Sequence, residues 1–210
     1  MTPNKLYKDP LNLIVAGVGG QGNLVISSLV GDALVATGCY VSVGETYGAS
    51  QRGGAVMSHV RVSQEMQYGP LIPNGRADVV VGMEPLETLR VLAQYGNPDV
   101  ITIVNPRPII PLSVLAGDAK YAEIGNFIED IKAISKKTYV INATEEAQKL
   151  GNNMLANVIL IGSLIALDVM PLDRKAMEAI IKERFPKALE LNLKAFEKGI
   201  ELLKASAASK

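Results

Sequence analysis

Leu13-Ile-Val-Ala-Gly-Val-Gly-Gly-Gln-Gly22 decides the fold class of this chain, because a short apolar run passes directly into a glycine-rich turn. From Leu11 to Ala16 almost every residue is apolar, the pattern of a strand buried on both faces. Beyond Gly22, the residues Leu24, Val25, Leu29, Ala33 and Leu34 recur at helical spacing until Gly38. The chain therefore opens as strand, loop, helix. A helix that begins at such a turn offers free backbone N–H groups, and the positive end of its dipole, to an anion.

Cys39 to Val43 reads as a second strand, and it leads to a second glycine-rich loop, Glu45-Thr-Tyr-Gly-Ala-Ser-Gln-Arg-Gly-Gly54, with Glu45 expected past the strand end. Val56 to Val62 alternates Val56, Ser58, Val60 and Val62 with Met57, His59 and Arg61, which predicts a third strand with unlike faces. Gly69, Pro70, Pro73 and Gly75 mark a loop before Ala77-Asp-Val-Val-Val-Gly82 resumes the buried-strand pattern. A helix is expected over Pro85 to Tyr95 and a strand over Val100 to Val104. Asn105-Pro-Arg-Pro108 and Pro111 then force an extended path. Phe127, Ile128, Ile131 and Ile134 form a helical stripe ahead of a strand at Thr138 to Ile141, and Thr144 to Lys204 reads as wholly helical. The small tail from Ala205 to Lys210 is expected to fray.

These elements predict an α/β fold: a mainly parallel open sheet flanked by helices, with a Rossmann-like opening and an all-helical C-terminal segment. Residues 1–210 are read as one domain, its α/β part at about 11–142 and its helical part at about 144–206. Two-thirds of the way along, the strands stop.

Twenty-one basic residues balance 21 acidic ones, so no global field attracts nucleic acid or an anionic membrane, and a charged ligand must be held locally. The one cysteine, Cys39, excludes an internal disulfide and supplies only one of the thiolates an iron–sulfur cluster usually takes. His59 is the only histidine and falls in an apolar strand, where a core role is the ordinary one. No metal site is expected. The polar start from Met1 to Pro10 lacks the order of a signal peptide, so a cytoplasmic location is the default. Met154 to Met170 is interrupted by Asn157, Ser163 and Asp168 and reads as a buried helix that something must cover on every side, another copy or a partner included.

Gly17, Gly19 and Gly22 have the spacing of a dinucleotide fingerprint, and Gly20 adds a further flexible position. Glu45 resembles the ribose-binding acid of such sites, yet it leads into a glycine loop of its own. Gln21 departs from the small or apolar residue expected there, and its amide suits a carboxylate or a neighbouring chain. In the second loop Tyr47 offers a ring and hydroxyl, Gln51 an amide and Arg52 a planar fork for phosphate or carboxylate, while Gly53 and Gly54 permit close approach. A Glu45–Arg52 pair that only braces the loop fits the spacing equally well. Asp78 and Glu84 flank a strand and are candidates for the sheet's carboxyl edge. No complete catalytic set emerges. A free-standing nicotinamide- or flavin-dependent dehydrogenase and a purely structural interaction subunit both remain open on these residues.

Taken together, Gly17-Val-Gly-Gly-Gln-Gly22, Glu45-Thr-Tyr-Gly-x-x-x-Arg-Gly-Gly54 and Ala77-Asp-Val-Val-Val-Gly82 resemble the gamma-type subunit of the 2-oxoacid:ferredoxin oxidoreductases, in order and spacing over almost the whole chain. Within that family the sequence is most similar to the stand-alone small beta subunit of the indolepyruvate-acting branch. The resemblance implies a heteromeric complex that oxidatively decarboxylates an arylpyruvate with coenzyme A, passing two electrons to ferredoxin. It also implies that thiamine diphosphate, Mg2+ and 4Fe-4S clusters belong to the larger partner subunit and that this chain holds none of them alone. Gln21, Tyr47, Gln51 and Arg52 are then the residues expected at ligand or partner. The C-terminal stripe Leu189, Leu193, Phe196, Ile200 and Leu203 is expected to pack on its own domain.

Overall fold

The computed structural model describes residues 6–48, 54–118 and 120–208. Six strands form one sheet: β1 (Leu11–Val18), β2 (Tyr40–Tyr47), β3 (Ala55–Ser63), β4 (Val79–Gly82), β5 (Ile101–Val104) and β6 (Lys137–Val140). Their spatial order is β2-β3-β1-β4-β5-β6. β1, β4, β5 and β6 run parallel, whereas β3 is antiparallel to both of its neighbours and forms a hairpin with β2. The sheet is therefore mixed but mostly parallel, as expected, with the reversal confined to the strand that follows the second loop.

Helices cover both faces. On one lie α1 (Asn23–Ala36), α5 (Ala143–Lys149), α6 (Ala156–Ala166), α7 (Arg174–Arg184) and α8 (Leu189–Ala208). Leu13, Val15, Val60, Val79, Ile103, Ile159 and Phe196 meet there in one buried core. On the other lie α2 (Pro85–Tyr95) and α4 (Ile124–Ile134), packed against Ile14, Val80 and Val104. Alternate residues of β1 thus enter opposite cores, which is why the run has no polar face. A single short turn, α3 (Leu112–Leu115), follows the proline segment.

α6 is buried from Ala156 to Ile165, and its cover comes from this chain, chiefly α8, then α5 and α1. No second copy or partner is needed to bury it. Gly162 and Gly199 make the α6–α8 crossing close: a Cβ on Gly199 would strike the Ile159 carbonyl oxygen. The buried face of α8 is Asn192, Ala195, Phe196, Gly199 and Leu203, with Leu189, Leu193 and Ile200 at its margin, so the expected stripe packs inward but is rotated towards the small residues. α8 continues through Ala208 rather than fraying at Ala205.

Among the described residues no helix is long and apolar enough to cross a membrane.

Candidate functional site

Because β1 and β2 are parallel to β4, β5 and β6, the turns that follow all five strands gather at one edge of the sheet. Chain direction reverses its sense there: β1 leads through α1 towards β2, whereas β4 leads through α2 away to β5. The space above β1 and β4 is thus the switch point at which open α/β sheets hold ligands. At this edge the two glycine loops meet. The Gly19 N–H donates to the Gly54 carbonyl at 2.9 Å, and the Gly48 N–H donates to Ala55 O at 2.7 Å, closing the second loop at its base.

Between the loops lies a largely apolar cleft of about 510 Å3, whose walls include Gly19, Gly20, Gly22, Asn23, Leu24 and Tyr47. Tyr47 and Leu24 are exposed. Gly22 caps α1 with φ 89, a conformation that glycine alone adopts without strain, and a Cβ there would collide with the Asn157 amide nitrogen at the start of α6. Asn23, in the first turn of α1, donates from Nδ2 to Val56 O at 2.7 Å, which ties the first loop to β3. Its Oδ1 is buried and has no hydrogen-bond partner among the described residues. Asn23 carries no signal in the sequence, and Asn157 shows there only as a polar break in an apolar run, because an asparagine inside a helical run carries no periodic signal.

Gln21 spends both ends of its amide within the chain. Oε1 accepts from Val18 N–H at 2.7 Å, and Nε2 donates to Met83 O at 3.3 Å, so the side chain stitches the first loop to the end of β4.

Glu45 requires a correction. It lies inside β2, not past its end, because the strand continues through Thr46 and Tyr47 in register with β3. Its carboxylate accepts from Ser58 Oγ at 2.5 Å and from Ser27 Oγ at 3.2 Å, and both serines are buried. The group that would have held a ribose braces α1 against the hairpin instead. Gln51, Arg52 and Gly53, and with them the Glu45–Arg52 pair, lie outside the described residues.

Asp78 also departs from expectation. It precedes β4 and sits at the amino edge of the sheet, where it pairs with Lys8 at 2.7 Å and accepts from Asn12 N–H at 2.8 Å. Glu84 does lie at the carboxyl edge. It is buried and caps α2, accepting from the N–H groups of Leu86 and Glu87. Burial pushes its pKa up, against the pull of those two donors. Burial likewise raises Glu87, opposed by Arg90 at 2.6 Å.

His59 is buried in β3. Its Nδ1 accepts from Ile72 N–H at 3.3 Å, and the ring meets Tyr95 edge to face at 5.3 Å. Burial lowers its pKa, so it is held neutral. Cys39 is buried, and among the described residues no three His, Cys, Asp or Glu side chains are grouped to hold a metal. The described donors do not fit a cluster or a thiamine-bound metal.

The family model for pyruvate ferredoxin/flavodoxin oxidoreductase matches residues 12–202. The indolepyruvate oxidoreductase subunit IorB of Archaeoglobus fulgidus is 40% identical over 190 residues, 90% of this chain and 93% of that protein. Among solved structures, the keto/oxoacid ferredoxin oxidoreductase gamma subunit of Geobacter sulfurreducens superposes with a TM-score of 0.67 at 22% identity, over 93% of this chain and 99% of the other. The 2-oxoglutarate:ferredoxin oxidoreductase of Magnetococcus marinus, solved with 2-oxoglutarate, coenzyme A and succinyl-CoA bound, gives 0.71 at 24% identity over 93% of this chain and 31% of that one.

Proposed function

Because the chain belongs to the pyruvate ferredoxin/flavodoxin oxidoreductase family, we infer that it is the small, gamma-type subunit of a heteromeric 2-oxoacid:ferredoxin oxidoreductase of the indolepyruvate-acting kind. The complex converts an arylpyruvate and coenzyme A to the acyl-CoA and carbon dioxide, and two electrons leave to ferredoxin. Identity of 40% to an indolepyruvate oxidoreductase subunit over 90% of the chain is the observation that carries the substrate class. The larger subunit holds thiamine diphosphate, Mg2+ and the 4Fe-4S clusters, which supply the electron sink and the wire. The assembly works in the cytoplasm.

This chain's own part is the cleft. Gly19, Gly20 and Gly22 and the arms of the second loop form its walls, Tyr47 stands at the rim, and Arg52 supplies the cation that holds a phosphate of coenzyme A or the carboxylate of the 2-oxoacid. Gln51, Gly53 and Gly54 are the further second-loop residues of this proposed ligand or partner contact. Gln21 and Glu45 act one step back as braces, Gln21 holding the first loop to the end of β4 and Glu45 holding α1 to the hairpin.

Steady-state kinetics of the assembled complex test this. Arg52→Ala is expected to raise KM for coenzyme A or for the 2-oxoacid by about tenfold or more, since a charge-assisted hydrogen bond is worth about 1.5–3 kcal/mol. Unchanged KM values, with the complex intact, would reduce the loops to a joint between subunits. Tight binding of a nicotinamide or flavin by the isolated chain would favour the dehydrogenase reading.

A further inference from the structure

The proline segment that the cleft leaves unused builds a second recess at the same sheet edge. It lies beyond β4, where β5 and β6 end, and encloses about 210 Å3 among Asn105, Arg107, Asn142, Thr144, Glu145 and Gln148. Arg107 stands between Pro106 and Pro108, so its backbone is confined to extended conformations before any ligand arrives. Its guanidinium is exposed and makes no ion pair or hydrogen bond with a described residue. The floor is braced by buried Asn105, whose Nδ2 donates to Met83 O at 3.1 Å and to Thr144 Oγ1 at 2.8 Å, and whose Oδ1 accepts from Thr144 N–H at 3.3 Å.

The donors and acceptors left over define what fits. Thr144 Oγ1 accepts from Asn105, so its own hydrogen is free to donate. Gln148 lies one helical turn on from Thr144 and offers an amide on the same side of α5. Glu145 gives Oε1 to Lys149 at 2.9 Å, leaving its second oxygen as an acceptor at the rim. A forked cation, a hydroxyl, an amide and one carboxylate thus line the same recess. A dianion such as phosphate would meet repulsion from Glu145, whereas a carboxylate with a neighbouring N–H or O–H satisfies both ends. The volume of about 210 Å3 accommodates a small acid of this kind.

We propose that the Arg107 recess is a binding site, separate from the glycine cleft, for a small carboxylic acid carrying a hydrogen-bond donor beside the carboxylate, the chemistry shared by 2-amino and 2-hydroxy acids. The guanidinium takes the carboxylate through two parallel hydrogen bonds, Thr144 and Gln148 orient it, and Glu145 accepts from the amino or hydroxyl group. The site stands on its own residues and does not depend on which 2-oxoacid the complex uses.

The full-length, 15N-labelled chain is titrated with alanine, lactate, acetate and inorganic phosphate while amide shifts are followed. Alanine or lactate is expected to give saturable shifts at Arg107, Thr144 and Gln148 and none at Gly19 or Tyr47. Acetate, which lacks the second donor, is expected to bind about tenfold more weakly, one hydrogen bond's worth at about 1.4 kcal/mol. Arg107→Gln, an exposed change, is expected to abolish the shifts with the rest of the spectrum preserved. Glu145→Gln distinguishes the two sources: it weakens alanine more than lactate if the ammonium is the group read there, and both equally if a hydroxyl suffices. The proposal is overturned if neither acid saturates, if acetate or phosphate binds as tightly, or if the shifts survive in Arg107→Gln.

Discussion

Replacing Glu45 by alanine separates a structural brace from a ligand-binding acid. The carboxylate receives two serine hydroxyls, Ser58 at 2.5 Å and Ser27 at 3.2 Å, and Ser27 alone has a second acceptor, Leu24 O at 3.3 Å. Hydrogen bonds to a charged group are worth about 1.5–3 kcal/mol each, and a buried hydroxyl left unpaired adds a desolvation cost. Glu45 is only half buried and Ser27 keeps its alternative, so the loss is placed at about 2–4 kcal/mol. For a chain of this size that lowers Tm by about 5–15 °C. Differential scanning calorimetry reads the shift, and a cycle with Ser58→Ala tests its cause. In the Glu45→Ala background the serine has lost its acceptor, so removing it should cost clearly less than in the parent. A melting point within about 1 °C of the parent, or fully additive effects of the two changes, would refute the brace and return Glu45 to the list of ligand contacts.

Three further outcomes follow from the same geometry. Gly199→Ala places a methyl against the Ile159 carbonyl and forces α6 and α8 apart, an expected loss of about 3 kcal/mol or more in urea denaturation; an unchanged midpoint would mean the crossing yields freely. Glu84 has a folded pKa raised by burial, so the native state holds its proton longer than the unfolded chain. Its contribution is therefore fully present below the ordinary carboxylate range and is lost as pH rises through the raised value. Subtracting Glu84→Gln from parent stability, pH by pH, should give a curve that falls with pH; a rising one contradicts the assignment. His59 is shifted the other way, so its contribution is present above the ordinary histidine range and declines as pH falls through the lowered value. NMR titration of its ring should give a midpoint below that of an ordinary histidine, and a midpoint at or above it would place the ring outside the core.

The fold was legible where periodicity is strong. β1, α1, α2, β5 and the helical last third lie where apolar spacing puts them, because each buries a whole face or both faces. The direction of β3 was not legible: alternation tells which faces a strand shows, not which way it runs. The extent of β2 was hidden because Gly44, Glu45, Thr46 and Tyr47 are not an apolar run, and their extended conformation comes from pairing with β3. That same pairing turned Glu45 inward to Ser27 and Ser58. On α8 the helix crossing is read from glycine and alanine rather than from leucine, so a count of large apolar residues misses its centre by part of a turn. Of the candidate site, the two glycine loops were legible one by one, while their meeting depends on strand order and the contributions of Asn23 and Asn157 on tertiary contacts, none of which a local pattern announces.

Assembly tests the proposed function most directly. The chain should be co-expressed with the large subunit of a 2-oxoacid oxidoreductase from the same source, and reduction of a viologen dye assayed with indolepyruvate and coenzyme A. Co-purification with dye reduction that requires both subunits, the arylpyruvate and coenzyme A is the expected result. Turnover by this chain alone, or failure of the two to associate, would contradict it.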